Sequence, residues 1–271
     1  MINLSKSLTF LDWWNPYAWL VVICLLIGYL LITGPLHKEF KGGEPVPTIQ
    51  RFYFVLGLIV AGGALGSPLS TLGHHYLFSA HMLQQSLLYF VVPPLLWAGI
   101  PTWLFRSILP QAFRQKILPK ITNAILAVFL FNGLLSFYHF PAIYDWIMSG
   151  EQPLAAVFAH TLLFLTAMQM WFVVTCPDPD LNQLSHLKKI GYVVLNGFLL
   201  YPACALIIFA DNLIYKPFHA VQPWFPFLTP LGDQQLGGVI MKIMQEGVFG
   251  IALGILFSRW YRKERSDEQE E

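Results

Sequence analysis

The sequence predicts an all-α membrane protein, a bundle of seven transmembrane helices with the N-terminus outside and the C-terminus in the cytoplasm. Three observations predict it. The 271-residue chain is 56% hydrophobic and only 11% charged, whereas ordinary soluble domains carry roughly a quarter charged residues. Its apolar residues form seven stretches that reach, or nearly reach, the length needed to cross a bilayer. Its charges lie almost entirely between these stretches, as is typical of a multi-pass helical protein.

The apolar stretches follow one another with short polar connections. They run over approximately 15–34, 51–68, 77–99, 121–138, 154–175, 189–210 and 237–258. The second contains AGGALG, and small residues of this kind favour close helix contact in a membrane. The fourth is the weakest, because Asn123 and Asn132 lie inside it. Residues 1–260 are therefore expected to form one transmembrane domain, followed by a charged cytoplasmic tail over residues 261–271.

The orientation is predicted from the basic residues. They are concentrated in alternate gaps and after the last stretch, at Lys38, Lys41, Arg51, Arg106, Arg114, Lys116, Lys120, Lys188, Lys189, Arg259, Arg262, Lys263 and Arg265. The remaining gaps contain only Lys216, so the positive-inside rule puts the N-terminus outside. The first residues lack the basic start and cleavage site of a signal peptide, so the first helix is expected to be retained. A net charge of +1 without a basic stripe argues against a nucleic-acid partner.

Residues 74–101, HHYLFSAHMLQQSLLYFVVPPLLWAGIP, begin with two histidines and run into an apolar stretch that carries a third, His81. If they form one helix, His74, His81 and Gln85 fall near one stripe, at spacings of seven and four. An unsatisfied polar group in hydrocarbon costs several kcal/mol. These side chains are therefore expected to face protein, water or a ligand.

Histidines collect on the predicted outer side, at His74, His75, His81, His139, His160 and His219. His81 and His160 lie inside apolar stretches, where an ionisable side chain indicates function, so a metal or proton role is expected for both. The alternative is a structural hydrogen bond, for which Gln84, Gln85 and Thr161 are available. A simpler interfacial role, bridging water and lipid headgroups, is preferred for His74, His219, His37 and His186. Histidine with methionine suits copper, and histidine with a carboxylate suits zinc.

Four motifs occur in an order that resembles the CtaG family, the seven-span cytochrome c oxidase assembly factors of bacteria. They are the 74–101 stretch, FYHFPAIYD, His160 with Trp171 eleven residues later, and DQQLGGVIM. The resemblance covers essentially all the spans. It implies a multi-pass protein of the bacterial cell membrane that is not an enzyme. It also implies work with cytochrome c oxidase subunits in the lipid bilayer, holding or delivering copper near the outer leaflet.

The resemblance also implies which residues matter. With His75 added from the mouth of the third stretch, the candidate copper ligands are His75, His81, His139, His160, Asp233 and Met241. Many relatives have a second histidine four residues after the first, where this chain has Gln85. The third stretch therefore lacks an i,i+4 histidine chelate of its own.

Two other functions stay open. The first is an intramembrane zinc hydrolase of the seven-span ceramidase type, in which zinc-bound water is the nucleophile. Its SxxxH pattern occurs as Ser70 to His74, but the companion HxxxH pattern does not occur. The second is a metal-free scaffold that docks the oxidase. Assembly into a homo-oligomer is also left open.

Overall fold

The computed structural model describes residues 9–182, 184–219 and 225–270. The first eight residues, which bear on whether the first helix is retained, lie outside the described residues. The long helices are α1 Pro16–Thr33, α2 Thr48–Gly66, α3 Phe78–Gly99, α4 Ala124–Tyr138, α5 Pro153–Thr175, α6 His186–Ile208 and α7 Pro230–Glu270. Shorter helices span Phe10–Trp13, Pro68–His75, Thr102–Ile108, Gln111–Lys116, Leu118–Ile121 and Pro141–Met148. Single 3₁₀ turns lie at His37–Glu39, Pro179–Leu181 and Lys216–Phe218.

Within the described ranges, five helices are long and apolar enough to cross a membrane, namely α1, α2, α5, α6 and α7. Two bent pairs raise the number to as many as seven: α3 meets Thr102–Ile108 at 97°, and Gln111–Ile121 meets α4 at 61°. The all-helical, multi-pass prediction is therefore confirmed. Its orientation in the membrane stays a prediction. Helix α7 continues to Glu270 through the predicted tail.

The two asparagines that make the fourth apolar stretch the least certain span both form hydrogen bonds within the protein. Asn123 stands before α4 and caps it, its Oδ1 accepting from the backbone N–H groups of Ile125 and Leu126 at 3.0 and 3.2 Å. Asn132 is buried and donates to Asn196 Oδ1 on α6 at 2.8 Å. Each amide thus has partners inside the protein, so neither needs water within the bundle.

Helix α3 is irregular where its two prolines follow a π-helical turn, Leu87–Val91. Pro93 and Pro94 have no N–H, so the carbonyl of Tyr89 loses both its i+4 and its i+5 donor. The indole N–H of Trp171 on α5 donates to this carbonyl at 3.2 Å. The proline pair therefore ties α3 to α5, and Trp171 is among the largest fully buried side chains.

Helix α3 lies at the centre of the bundle, packed against α7, α2 and α5. Helix α6 covers α7, α4 packs on α5, and α1 packs on α2. Gly237 allows α7 to approach α3 closely, because a Cβ there would lie 2.6 Å from the ring of Phe78. The interior is aromatic, with the Trp171 and Phe249 rings 5.5 Å apart.

An ion-pair network ties the short helices Thr102–Ile108 and Gln111–Lys116 to the segment after α5, on the side predicted to be cytoplasmic. The buried carboxylate of Asp178 accepts two hydrogen bonds from Arg106, at 2.5 and 2.9 Å, and one from Arg114 at 3.1 Å. Arg106 also contacts Asp180, whose side chain is 78% exposed, at 2.6 Å. Hydrogen bonds from Arg106 lower the pKa of Asp178 below its ordinary value, and the charges of both arginines add to this.

We predict that Asp178→Ala lowers the free energy of unfolding by about 2 kcal/mol at pH 7, because it removes charge-assisted hydrogen bonds. The folded pKa lies below the unfolded value of about 3.9, so the contribution is fully present above that pH. It is lost as the pH falls through the folded pKa. Thermal unfolding in detergent at several pH values measures the difference from wild type.

The matched control is Asp180→Ala, which removes an exposed partner of the same arginine and should cost less than about 1 kcal/mol. Equal losses in the two variants would contradict the assignment of the network to Asp178.

Candidate functional site

Histidine rings converge at one end of the bundle, which we call the cluster end. The ring centroids of His74, His81 and His160 form a nearly equilateral triangle, with separations of 6.0, 5.9 and 6.2 Å. The ring of Tyr138 lies 6.3 Å from His81 and 5.4 Å from His160. We call the set the histidine–tyrosine cluster; its members are His74, His81, His139, His160, Tyr89, Tyr138 and Tyr144.

His74 reaches the cluster through a break in the chain. The expectation of one continuous helix from His74 onward is wrong, because Pro68–His75 ends and Leu77 is extended, with φ −131° and ψ 117°. The short helix then folds against the first turn of α3. Gly73 permits this contact, since a Cβ there would lie 2.8 Å from the backbone N and Cα of His81.

Two backbone hydrogen bonds define histidine tautomers in the cluster. His74 Nδ1 lies 2.7 Å from the carbonyl of Ser70, and His139 Nδ1 lies 2.8 Å from the carbonyl of Leu135. A carbonyl only accepts, so Nδ1 carries the proton in each ring. Nε2 of the neutral ring then keeps its lone pair. In His139, which is fully buried, this atom has no hydrogen-bond partner.

The two deeper histidines are each oriented by a tyrosine. His81 Nε2 lies 3.1 Å from the hydroxyl of Tyr138, and His160 Nδ1 lies 3.2 Å from the hydroxyl of Tyr89. The remaining nitrogens, His81 Nδ1 and His160 Nε2, are buried without a partner among the described residues, as are both amide atoms of Gln85. An unsatisfied buried polar group costs about 1–3 kcal/mol, so a concentration of them at one place indicates a ligand site.

The other predicted histidines lie beside the triangle. The ring of His139 is 5.0 Å from Tyr138 and 6.5 Å from Tyr144. Tyr144 in turn lies 5.6 Å from His81, and its buried hydroxyl has no partner in the described structure. His75 is exposed, with its ring 6.4 Å from His74. Partial burial, and then the neighbouring His74, lower the pKa of His75.

Asp233 caps the start of α3 from the neighbouring helix. One carboxylate oxygen accepts from the backbone N–H of Phe78 at 2.7 Å and of Ser79 at 3.4 Å, and the other accepts from the Ser79 hydroxyl. Leu77, at the N-cap position, has no side chain able to do this. Met241 is buried in the apolar core. The structure thus gives Asp233 and Met241 roles in positioning and packing.

In the described part of the chain, no group of three or more His, Cys, Asp or Glu is placed to hold a metal ion. The triangle brings three rings together without aiming three nitrogens at one point. The donor chemistry still fits a metal that accepts neutral imidazole, such as copper. The fit rests on the buried, unpaired nitrogens of His81 and His160 and on the nearby exposed ring of His74.

The sequence alone favours an interfacial role for His74, and no spacing in it singles out the tyrosines. The spacing of seven between His74 and His81 was a usable signal, although the chain break is what brings the two rings together. FYHFPAIYD contains Tyr138, His139 and Tyr144 within seven residues, with Pro141 starting a new helix between them. That motif supplies one wall of the cluster.

The fold and the cluster define a multi-pass helical membrane protein in which imidazole rings, some buried and some exposed, gather at one end. The model of the family of cytochrome c oxidase caa3 assembly factors (Caa3_CtaG) matches residues 27–263, from the second half of α1 into α7. The chain therefore belongs to this family, which confirms the resemblance found in the sequence. No curated protein and no solved structure matches the chain.

We predict that Asp233→Ala lowers the free energy of unfolding by about 2 kcal/mol, the upper range for loss of a helix cap. The reason is that two backbone N–H groups at the buried start of α3 lose their acceptor. Chemical unfolding in detergent measures the change. Asp145→Ala is the control, since Asp145 accepts from the N–H of Lys216 at an exposed position and should cost less. An unchanged stability of Asp233→Ala would contradict the capping role.

The exposure of the histidines predicts their reactivity with diethyl pyrocarbonate. At pH 7 we expect His74 and His75 to be modified at least about tenfold faster than His81 and His139, whose rings are reached only by local opening. The lowered pKa of His75 keeps its ring neutral and nucleophilic at this pH. Peptide mass spectrometry measures each site, with exposed His219 as the reference. Equal rates for exposed and buried rings would refute the arrangement.

Proposed function

We propose that this assembly factor holds copper at the histidine–tyrosine cluster and passes it to cytochrome c oxidase. One observation carries the proposal. Three buried imidazole nitrogens, on His81, His139 and His160, lack a hydrogen-bond partner in the described structure beside the exposed ring of His74. Buried polar atoms without partners are rare in folded proteins, and neutral imidazole is a good copper ligand.

Copper is the cargo in this proposal, so weak, exchangeable ligation is an advantage. His81 Nδ1 and His160 Nε2 would hold the ion, since both are free and belong to rings 5.9 Å apart. The hydroxyls of Tyr138 and Tyr89 orient these two rings, as hydrogen bonds to the second nitrogen commonly do at metal sites. A closed cage of four ligands would bind too firmly to donate.

His74 would be the exchange point. It is exposed, it lies about 6 Å from both deeper rings, and its Nε2 keeps a lone pair. If the predicted orientation holds, the cluster end faces the outer leaflet. Copper would then enter and leave on the outside, while Asp233 positions the first turn of α3.

The family favours an assembly role over the zinc-hydrolase alternative. The SxxxH pattern that suggested a hydrolase has a simpler explanation in the structure. His74 donates to the backbone carbonyl of Ser70, which any residue at that position would provide. Copper binding and a metal-free scaffold role are distinguished by experiment.

We predict that detergent-purified wild type, loaded with Cu(I) under reducing conditions, retains near-stoichiometric copper. His81→Ala and His160→Ala should each lower the affinity at least about tenfold, the scale of losing one supporting group at a metal site. Elemental analysis and a competition titration with a Cu(I) chelator measure this. Oxidase activity should fall in membranes of both variants while the variant protein persists.

The control is His219→Ala, which removes an exposed imidazole bonded to the carbonyl of Leu213 and should leave copper unchanged. Copper absent from wild type, with normal oxidase copper in the variants, would replace the proposal with the scaffold. Zinc retained through washing together with lipid hydrolysis would replace it with the hydrolase.

A further inference from the structure

A charged pair lies on α7, and neither of its residues belongs to the histidine–tyrosine cluster. Lys242 Nζ and Glu246 Oε1 are 2.6 Å apart, one helical turn from each other. Glu246 lies ten residues after Leu236 and thirteen before Arg259, so it is close to the centre of the apolar part of the helix. The Glu246 side chain is 58% exposed, on the surface of a bundle that lipid would surround.

The lysine is satisfied by the protein itself. Besides Glu246, the Lys242 ammonium lies 3.8 Å from the ring centroid of Tyr201 and 3.4 Å from Gln245 Oε1. Its side chain is only 15% exposed. Gln245 is in turn held by the carbonyl of Gly197 on α6 at 3.4 Å. The polar group left facing outward is therefore the carboxylate of Glu246.

A carboxylate at this depth needs more than one contact. Its two oxygens accept about four hydrogen bonds, whereas Glu246 has only the lysine in the described structure. Hydrocarbon supplies no donor, and ionisable side chains within membranes almost always face protein or a water-filled cavity. The exposure of the Glu246 carboxylate to hydrocarbon is thus unfavourable in free energy, and a protein helix that covered it would remove this penalty.

The surface beside Glu246 is shaped for such a helix. Gly247, Gly250 and Gly254 lie on the same side of α7, and a Cβ at any of them would meet nothing within 4 Å. Ile243, one turn before, is 64% exposed. Small residues spaced by four allow two helix backbones to approach closely in a membrane. We call these five residues the Glu246 face.

We propose that the Glu246 face docks a transmembrane helix of another protein that carries a cationic or strongly hydrogen-bond-donating side chain at its middle. The acceptor sites of Glu246 that Lys242 leaves unfilled select the donor, and the open glycine surface admits the backbone. A second copy of this chain fits less well, because a symmetric pair would set Glu246 against its own equivalent at the same depth. The proposal does not depend on copper binding.

The test uses a defined probe, a 22-residue leucine–alanine helix with one arginine at its centre. Labelled protein and labelled peptide are reconstituted in liposomes, and association is measured by energy transfer. We expect the arginine peptide to bind at least about tenfold more tightly than peptides with leucine or glutamate at that position, within the range measured for polar contacts in membranes. Glu246→Gln and Gly250→Leu should each abolish the preference.

Gly133→Leu is the matched control, because Gly133 on α4 is also exposed and has open space around it, and it should leave binding unchanged. Thermal unfolding verifies that each variant is folded. Equal binding of the three peptides to wild type would overturn the proposal. A second result would also overturn it: no peptide binds, and energy transfer between copies of the protein is seen in wild type but lost in Glu246→Gln. That result would identify a homodimer. Copper content is a separate readout, which these variants should not change.

Discussion

A membrane offers no hydrogen-bond partner to the groups it surrounds, and the packing of this bundle depends on meeting that constraint from within. Asp233 on α7 supplies the acceptor for the first N–H groups of α3. Trp171 on α5 supplies the donor for the carbonyl that Pro93 leaves without one. Asn132 and Asn196 do the same for each other between α4 and α6. Each of these contacts joins two helices. The hydrogen bonds that satisfy the polar groups therefore also fix how the helices are arranged.

Against that background, two places where polar groups have too few partners stand out. At the cluster end they are buried: nitrogens of His81, His139 and His160 and the amide of Gln85. On α7 the exposed carboxylate of Glu246 has one partner, Lys242, for its two oxygens. In our proposals a small ligand that enters the bundle satisfies the first kind, and a helix that covers α7 satisfies the second.

The histidine–tyrosine cluster shows that the spacing of two residues in the sequence does not define their contact unless the breaks between helices are known. The interval between His74 and His81 suggested one helical stripe, yet the two residues belong to different helices. Gly73 brings them together because it lacks a Cβ. Asp233 also has the chemistry of a ligand, and its contacts make it a cap. Residue type indicates what a side chain is able to do, and its neighbours decide which of those roles it takes.

The sequence by itself determined the family, the all-helical multi-pass fold and the bounds of most helices, because hydrophobic length and charge segregation are local properties. It also placed His81, His139 and His160 among the functional candidates. Only the tertiary structure showed that His74 joins His81 and His160, that Tyr89 and Tyr138 orient the deeper rings, and that Glu246 faces outward. These facts depend on which helices touch and on how each is rotated about its axis. Close packing sets both, through contacts between residues that are 57 to 155 positions apart in the chain.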